Sequence, residues 1–109
     1  MSDVVLDCLR EARRLVARRF GWFQGADFEL VGVTDDGYAY CALGALRHSA
    51  GYDVATEAIR LLSSVIRVPV TTIYAPDKVA MYNDTLGRRK SQVVAAFDRA
   101  IAKRKKQTE

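Results

Sequence analysis

Apolar residues recur at three- and four-residue spacing from Asp3 to Phe20. They are Val5, Cys8, Leu9, Ala12, Leu15, Val16 and Phe20. That spacing draws one stripe along a helix, so an amphipathic helix is expected here. Ser2 or Asp3 can cap its start and Gly21 can end it. Arg10, Arg14 and Arg18 fall on the opposite face with Arg13 beside them, and Asp7, Glu11 and Arg14 have the spacing of helical ion pairs.

The pattern changes at Gly21. Gly21 to Asp27 reads as a loop, and Phe28 to Val33 as a strand rich in β-branched residues. Thr34-Asp-Asp-Gly37 is a turn, since Asp-Gly between apolar runs signals a hairpin. Tyr38 to Tyr40 begins the return strand. Cys41 to Ala50 is apolar or small until Arg47, which predicts a short, central helix closed by Gly51. Asp53 is placed to cap a further helix, with a stripe of Val54, Ala58, Leu61, Leu62, Val65 and Ile66 running to about Arg67. Val68 to Ala75 is either a third strand or an irregular connection. Pro76 or Asp77 opens a short helix through Tyr82, ending at Asn83 or Asp84. A last helix is expected from about Lys90 to Lys103, with Val93, Val94, Phe97, Ala100 and Ile101 facing inward. The fold class read from this pattern is α+β, mostly helical: four to five helices packed around one short antiparallel β-hairpin.

At 109 residues with 50% hydrophobic residues, the chain can bury one core. Residues 1–102 are expected as a single globular domain, and residues 103–109 as a basic, frayed tail. The tail's Lys103, Arg104, Lys105 and Lys106 hold four of the 17 basic residues, and without these four the remaining 13 basic residues balance the 13 acidic ones. Charge alone therefore argues little for nucleic acid. The longest uncharged apolar stretch, around Val68 to Pro76, is about a dozen residues, well below the roughly 20 that cross a bilayer. Asp3 and Asp7 stand where a signal peptide is basic, and Arg10, Arg13 and Arg14 interrupt any apolar core, so a cytoplasmic protein without a membrane association is expected. Two cysteines and one histidine make neither a disulfide scaffold nor a strong metal site. No metal and no cofactor is expected.

Three clusters are candidates for chemistry. In Trp22-Phe23-Gln24-Gly25, the tryptophan is expected to fold onto the core, while the Gln24 amide either bonds backbone or faces a ligand. Cys41 sits at the first turn of a helix, where the dipole lowers a thiol pKa, and Gly44 admits a close neighbour. Burial is expected to outweigh the dipole, making Cys41 structural; Cys41→Ser is then expected to cost roughly 1–3 kcal/mol and Cys41→Ala less. The third cluster is Tyr82-Asn83-Asp84 followed by Arg88 and Arg89, which has turn chemistry and two cations able to hold an anion or Asp84. His48 lies some 10 Å along the helix from Cys41 and reads as a surface histidine.

Taken in order, Arg18-Arg-Phe-Gly-Trp-Phe-Gln-Gly25, Tyr40-Cys-Ala-Leu-Gly-Ala-Leu46, Val79-Ala-Met-Tyr-Asn-Asp84 and Val93-Val-Ala-Ala-Phe-Asp-Arg-Ala-Ile101 resemble a family of small uncharacterised proteins of actinobacteria, other bacteria and phages. Its members share Trp-x-Gln-Gly, Cys-x-x-Gly-Ala and Trp/Tyr-Asn-Asp motifs, then a helix ending in Phe-Asp-x-Ala. The resemblance marks Trp22, Gln24, Gly25, Cys41, Gly44, Asn83 and Asp84, and it implies no activity. The chain departs from the pattern at Lys90 and Ser91. Occurrence in phages implies a protein that engages a host factor or a small ligand.

The leading expectation is a non-enzymatic binding or protein-interaction module, contacting an unknown host protein or small polar ligand. Its binding residues would be Trp22, Gln24, Gly25, Gly44, Tyr82, Asn83, Asp84, Arg88 and Arg89. One alternative is a cysteine-dependent hydrolase or transferase, with Cys41 as nucleophile, Gln24 as oxyanion donor, and Asn83 with Asp84 as polar partners. A second alternative is nucleic-acid binding through Arg10, Arg13, Arg14, Arg18 and the tail. Trp22, Gln24, Cys41 and Asn83 are expected to lie together, because each of their segments stands at a helix boundary.

Overall fold

The structure, a computed structural model, describes residues 3–24, 31–34, 37–69 and 74–109. In chain order these residues form α1 (Val4–Ala17), β1 (Val31–Thr34), β2 (Gly37–Tyr40), α2 (Ala42–Ser49), α3 (Tyr52–Ser64), α4 (Ala75–Asp84) and α5 (Lys90–Gln107). The protein is thus mostly helical. β1 and β2 pair antiparallel, from Val31 opposite Tyr40 to Thr34 opposite Gly37. The expected turn residues Asp35 and Asp36, and the expected strand start at Phe28, lie outside the described residues.

α1 forms as its periodicity requires. Asp3 caps it, its carboxylate accepting from the Val5 and Leu6 amides at 3.1 and 3.2 Å. Val5, Cys8, Leu9, Ala12, Leu15 and Val16 are buried. The helix stops at Ala17 rather than Phe20, and Phe20 is exposed. The reason lies in the groups that bond the helix end. Arg18 has extended backbone, its Nε donates to the Leu15 carbonyl at 2.9 Å, and Lys90 Nζ donates to the Arg18 carbonyl at 2.7 Å. Cations from nearby and from α5 thus take the carbonyls at the helix end, which no further turn can satisfy. Gly21 then passes so close that a Cβ there would stand 1.9 Å from the Leu15 carbonyl oxygen. Only glycine fits this approach.

The chain next runs beside β2. The Tyr40 amide donates to the Gly21 carbonyl at 2.7 Å, and Trp22 forms a parallel bridge with Tyr40. α2 starts one residue later than expected, at Ala42, because Cys41 is its N-cap with extended backbone. Gly51 caps α3, so Asp53 lies inside the first turn, where its charge still complements the helix dipole. α3 ends at Ser64, short of Arg67. Of the ambiguous Val68–Ala75 stretch, residues 70–73 lie outside the described residues and Ala75 already belongs to α4.

α5 continues to Gln107, past the Lys103 position where fraying is expected. Two contacts account for this. Arg104 forms an ion pair with Asp3 at 2.8 Å, and Lys103 Nζ donates to Ser64 Oγ at 2.8 Å. The basic residues also complement the negative end of the helix dipole. The helices share one core, in which Leu9, Val16, Leu46, Leu62, Val79, Val93 and Phe97 are all but inaccessible. Each contributes roughly 1.5–3 kcal/mol on burial. No helix among the described residues is long and apolar enough to cross a membrane.

Candidate functional site: a clamp centred on Asn83

Asn83 is the one fully buried polar residue in the core among the described residues. It sits at i+4 from Val79 on the buried side of α4, where the pattern of the helix calls for an apolar side chain. A buried amide is tolerated only if its bonds are made. Here all are. Asn83 Oδ1 accepts from Trp22 Nε1 at 2.6 Å and from the Ala42 amide at 2.9 Å. Its Nδ2 donates to the Phe23 carbonyl at 3.1 Å and to Asp84 Oδ1 at 2.9 Å. One side chain thereby ties the loop after α1, the start of α2 and the end of α4. The bond to Ala42 also brings the negative end of α4 to the positive end of α2.

The end of α4 is closed by side chains from elsewhere. Gln24 Nε2 donates to the Asn83 carbonyl at 3.0 Å and to the Thr85 carbonyl at 2.8 Å. Thr85 Oγ1 donates to the Met81 carbonyl, and Arg88 Nε to the Tyr82 carbonyl at 2.9 Å. The Arg88 guanidinium also lies 3.7 Å from the centre of the Tyr82 ring, a close cation–π contact. These are the carbonyls that a helix end leaves without partners. Arg88 is therefore committed to α4. Arg89 is exposed at the start of α5, and its backbone amide donates to Gln92 Oε1 at 2.9 Å.

Cys41 is adjacent to the clamp through Ala42. Its Sγ accepts from the Gly44 amide at 3.3 Å, capping α2 with a thiol. Cys41 is buried, and burial pushes its pKa up; the negative charge of Asp84 pushes it further, against the hydrogen bonds from Gly44 and Leu43. The dipole at the helix start does not prevail. Cys8 is also buried, its thiol pushed up to about 11 by desolvation, and it donates to the Leu46 carbonyl. His48 is exposed, with its ring 5.0 Å from that of Tyr40.

Trp22, Gln24, Asn83 and Asp84 thus come together beside Cys41, with Tyr82 and Arg88 bracing the same helix end. Gly44 is buried in α2, Arg89 stands apart on the surface, and Gly25 lies outside the described residues. Sequence reasoning missed Phe23 and Ala42, whose backbone groups complete the Asn83 bonding; Asn-Asp was legible as turn chemistry, whereas the Val79 to Asn83 spacing was the available signal for a buried amide. Of the arginines proposed for nucleic acid, Arg13 pairs with Asp98, Arg14 with Glu11 and Arg104 with Asp3. Arg18 donates to the Tyr38 carbonyl at 2.7 Å.

The sequence profile of one family of unknown function, DUF6197, matches residues 1–103. The chain belongs to that family. Comparison with curated proteins and with solved structures gave no match.

Proposed function

We propose that this chain is a small non-enzymatic binding module, in which the Asn83 clamp fixes the frame and performs no chemistry. The observation that carries the reading is the state of Cys41. A nucleophilic cysteine is a thiolate with access to substrate. This thiol is buried, raised in pKa and engaged as the cap of α2. The groups that would serve as its oxyanion donor and polar partners, Gln24 and Asn83, hydrogen-bond within the fold instead. As to the partner, the motif set supports a place among proteins of actinobacteria and phages and hence a host protein or a small polar ligand. The loop after α4 adds to this: Leu86 is fully exposed, and the exposed Arg89 follows it. The reading also takes β1 and β2 as one hairpin about Asp36-Gly37, supported by the turn signal in the sequence.

The test is thiol labelling of the native protein at neutral pH. Cys41 is expected to react far more slowly than a free thiol, and only as fast as the fold opens. Labelling faster than a free thiol, with Cys41→Ala removing an activity at unchanged stability, would replace the binding reading with the enzyme reading.

A further inference from the structure

Away from the clamp, a groove of about 790 Å³ opens between the end of α2, the outer side of α3 and the start of α4. That volume lies within the range of small-ligand sites. Its lining has a consistent chemistry. Ile59 and Ala55 are buried and give it an apolar floor. Tyr52 and Tyr74 line it as well, and they are 84% and 59% exposed, two of the most exposed large hydrophobic residues among the described residues. Arg47 and Arg60 also line it, and no carboxylate is among its lining residues in the described part of the chain.

The two arginines differ from those around the clamp. Arg47 is exposed and makes no hydrogen bond or ion pair among the described residues, and Arg60 has only a 3.5 Å contact with Glu57. A third cation stands at the edge, because Lys78 Nζ donates to the carbonyl of Ser63, itself a lining residue, at 2.8 Å. An ammonium has three protons, so Lys78 keeps donors to offer. Exposed tyrosine rings, an apolar floor, the exposed Arg47 guanidinium and the exposed Arg60, held only by its 3.5 Å ion pair with Glu57, together match a flat ring that carries a negative charge. The rings and floor take the ring face, and arginine forks bind a carboxylate or phosphate through two parallel bonds.

We infer that this groove is a binding site for a small aromatic anion, a flat ring bearing a phosphate or a carboxylate. The inference rests on the binding-module reading and assigns it a ligand class. Two probes distinguish the anionic group: adenosine 5′-monophosphate and benzoate, each titrated into the full chain by NMR beside its neutral counterpart, adenosine or benzyl alcohol. The expected result is a saturable shift of the Ala50, Ala55 and Ala75 amides with at least one anion, at least tenfold weaker with its neutral counterpart. Arg47→Ala and Tyr52→Ser should each weaken that binding at least fivefold with an unchanged melting temperature, since both side chains are exposed. The inference is overturned if neither anion moves these amides at millimolar concentration. It is equally overturned if neutral and anionic probes bind alike, or if Arg47→Ala leaves binding intact. Any of these results with an inert Cys41 leaves the module reading standing with its contact elsewhere. A fast-reacting Cys41 removes the module reading whatever happens in the groove.

Discussion

α2 and α4 each run from one kind of region to another. At the clamp end, Ala42 and Asn83 meet, and the polar atoms there bond to one another. At the other end, Arg47 of α2, Tyr74 just before α4, and Ala75 and Pro76 of α4 border a groove whose cationic side chains face solvent. The separation follows from helix length: ten residues carry α4 about 15 Å. The difference indicates how a motif should be read. A Trp, a Gln and an Asn drawn together by the fold look like a binding site, yet the Trp22 Nε1, the Gln24 Nε2 and both polar atoms of the Asn83 amide bond within the fold. Matched polar atoms in a buried place specify a fold, because each alternative packing leaves some of them without partners. Unmatched polar groups around a cavity are the ones able to recognise something else.

The comparison breaks first at Asn83 if the clamp is not structural. Asn83→Ala strips the partners from Trp22 Nε1, the Ala42 amide and the Phe23 carbonyl at once. A loss of about 3 kcal/mol is expected, from unsatisfied groups at roughly 1–3 kcal/mol each with some rehydration. For a domain of this size that is a fall in melting temperature on the order of 15 °C. Asn83→Asp keeps the shape and should cost as much, because it replaces the donor to Phe23 with an acceptor and sets a second carboxylate against Asp84. Urea unfolding of both variants measures this. A cost below about 1 kcal/mol for both would mean the clamp does not hold the fold, and the ligand reading of Asn83 would return.

How far this was legible differs by element. The stripe of α1 is visible because every buried position belongs to a single helical period, and the same holds for Val93, Phe97 and Ala100 in α5. Helix ends were less visible. α1 ends where Arg18 and Lys90 take its carbonyls, and Lys90 is more than seventy residues away in sequence. α5 outlasts its apolar stripe because Arg104 meets Asp3 at the other end of the chain. Local pattern does not register such partners. The sequence did gather Trp22, Gln24, Cys41 and Asn83 at helix boundaries, and it left open whether the Gln24 amide served backbone or ligand. It did not point to the groove, because Arg47, Tyr52, Arg60 and Tyr74 sit on three elements and each alone is an ordinary surface residue.

Asp3 supplies an intermediate case, polar atoms matched at a half-buried surface. It caps α1 and pairs with Arg104, with about a fifth of each side chain exposed. Asp3→Ala should cost about 1–2 kcal/mol, the usual range for a lost cap. The hydrogen bond from Arg104 holds the Asp3 carboxyl below its ordinary value of 3.8, against a smaller opposing effect of burial. A lowered carboxylate pKa stabilises the fold above the unfolded value, and that contribution disappears as the pH falls through the folded value. The gap between the wild type and Asp3→Asn, which keeps a capping side chain and loses the charge, should therefore be constant near neutrality and close below about pH 3.8. Removal of residues beyond Ala102 should produce the same gap. Equal stability of the truncated and full chains at pH 7 would show that the pair contributes nothing.

The smallest effect is expected at Cys41, and it tests the clamp at its margin. A buried thiol in an apolar setting argues that alanine is the gentler replacement, since serine brings a hydroxyl into that setting. The geometry reverses the order. Cys41 Sγ accepts the Gly44 amide at 3.3 Å, so the side chain serves as the cap of α2. Serine is among the best capping residues and its shorter, stronger acceptor can take the same proton, whereas alanine leaves the amide bare. The gain from the better cap offsets much of the desolvation of the hydroxyl. Cys41→Ser should thus lie within about 0.5 kcal/mol of the wild type, and Cys41→Ala about 1 kcal/mol below it. Denaturant midpoints at equal m-value resolve a difference of this size. If alanine proves the more stable of the two, the sulfur is acting as a small hydrophobe rather than a cap. The start of α2 would then be held by Asn83 alone, through the amide of Ala42.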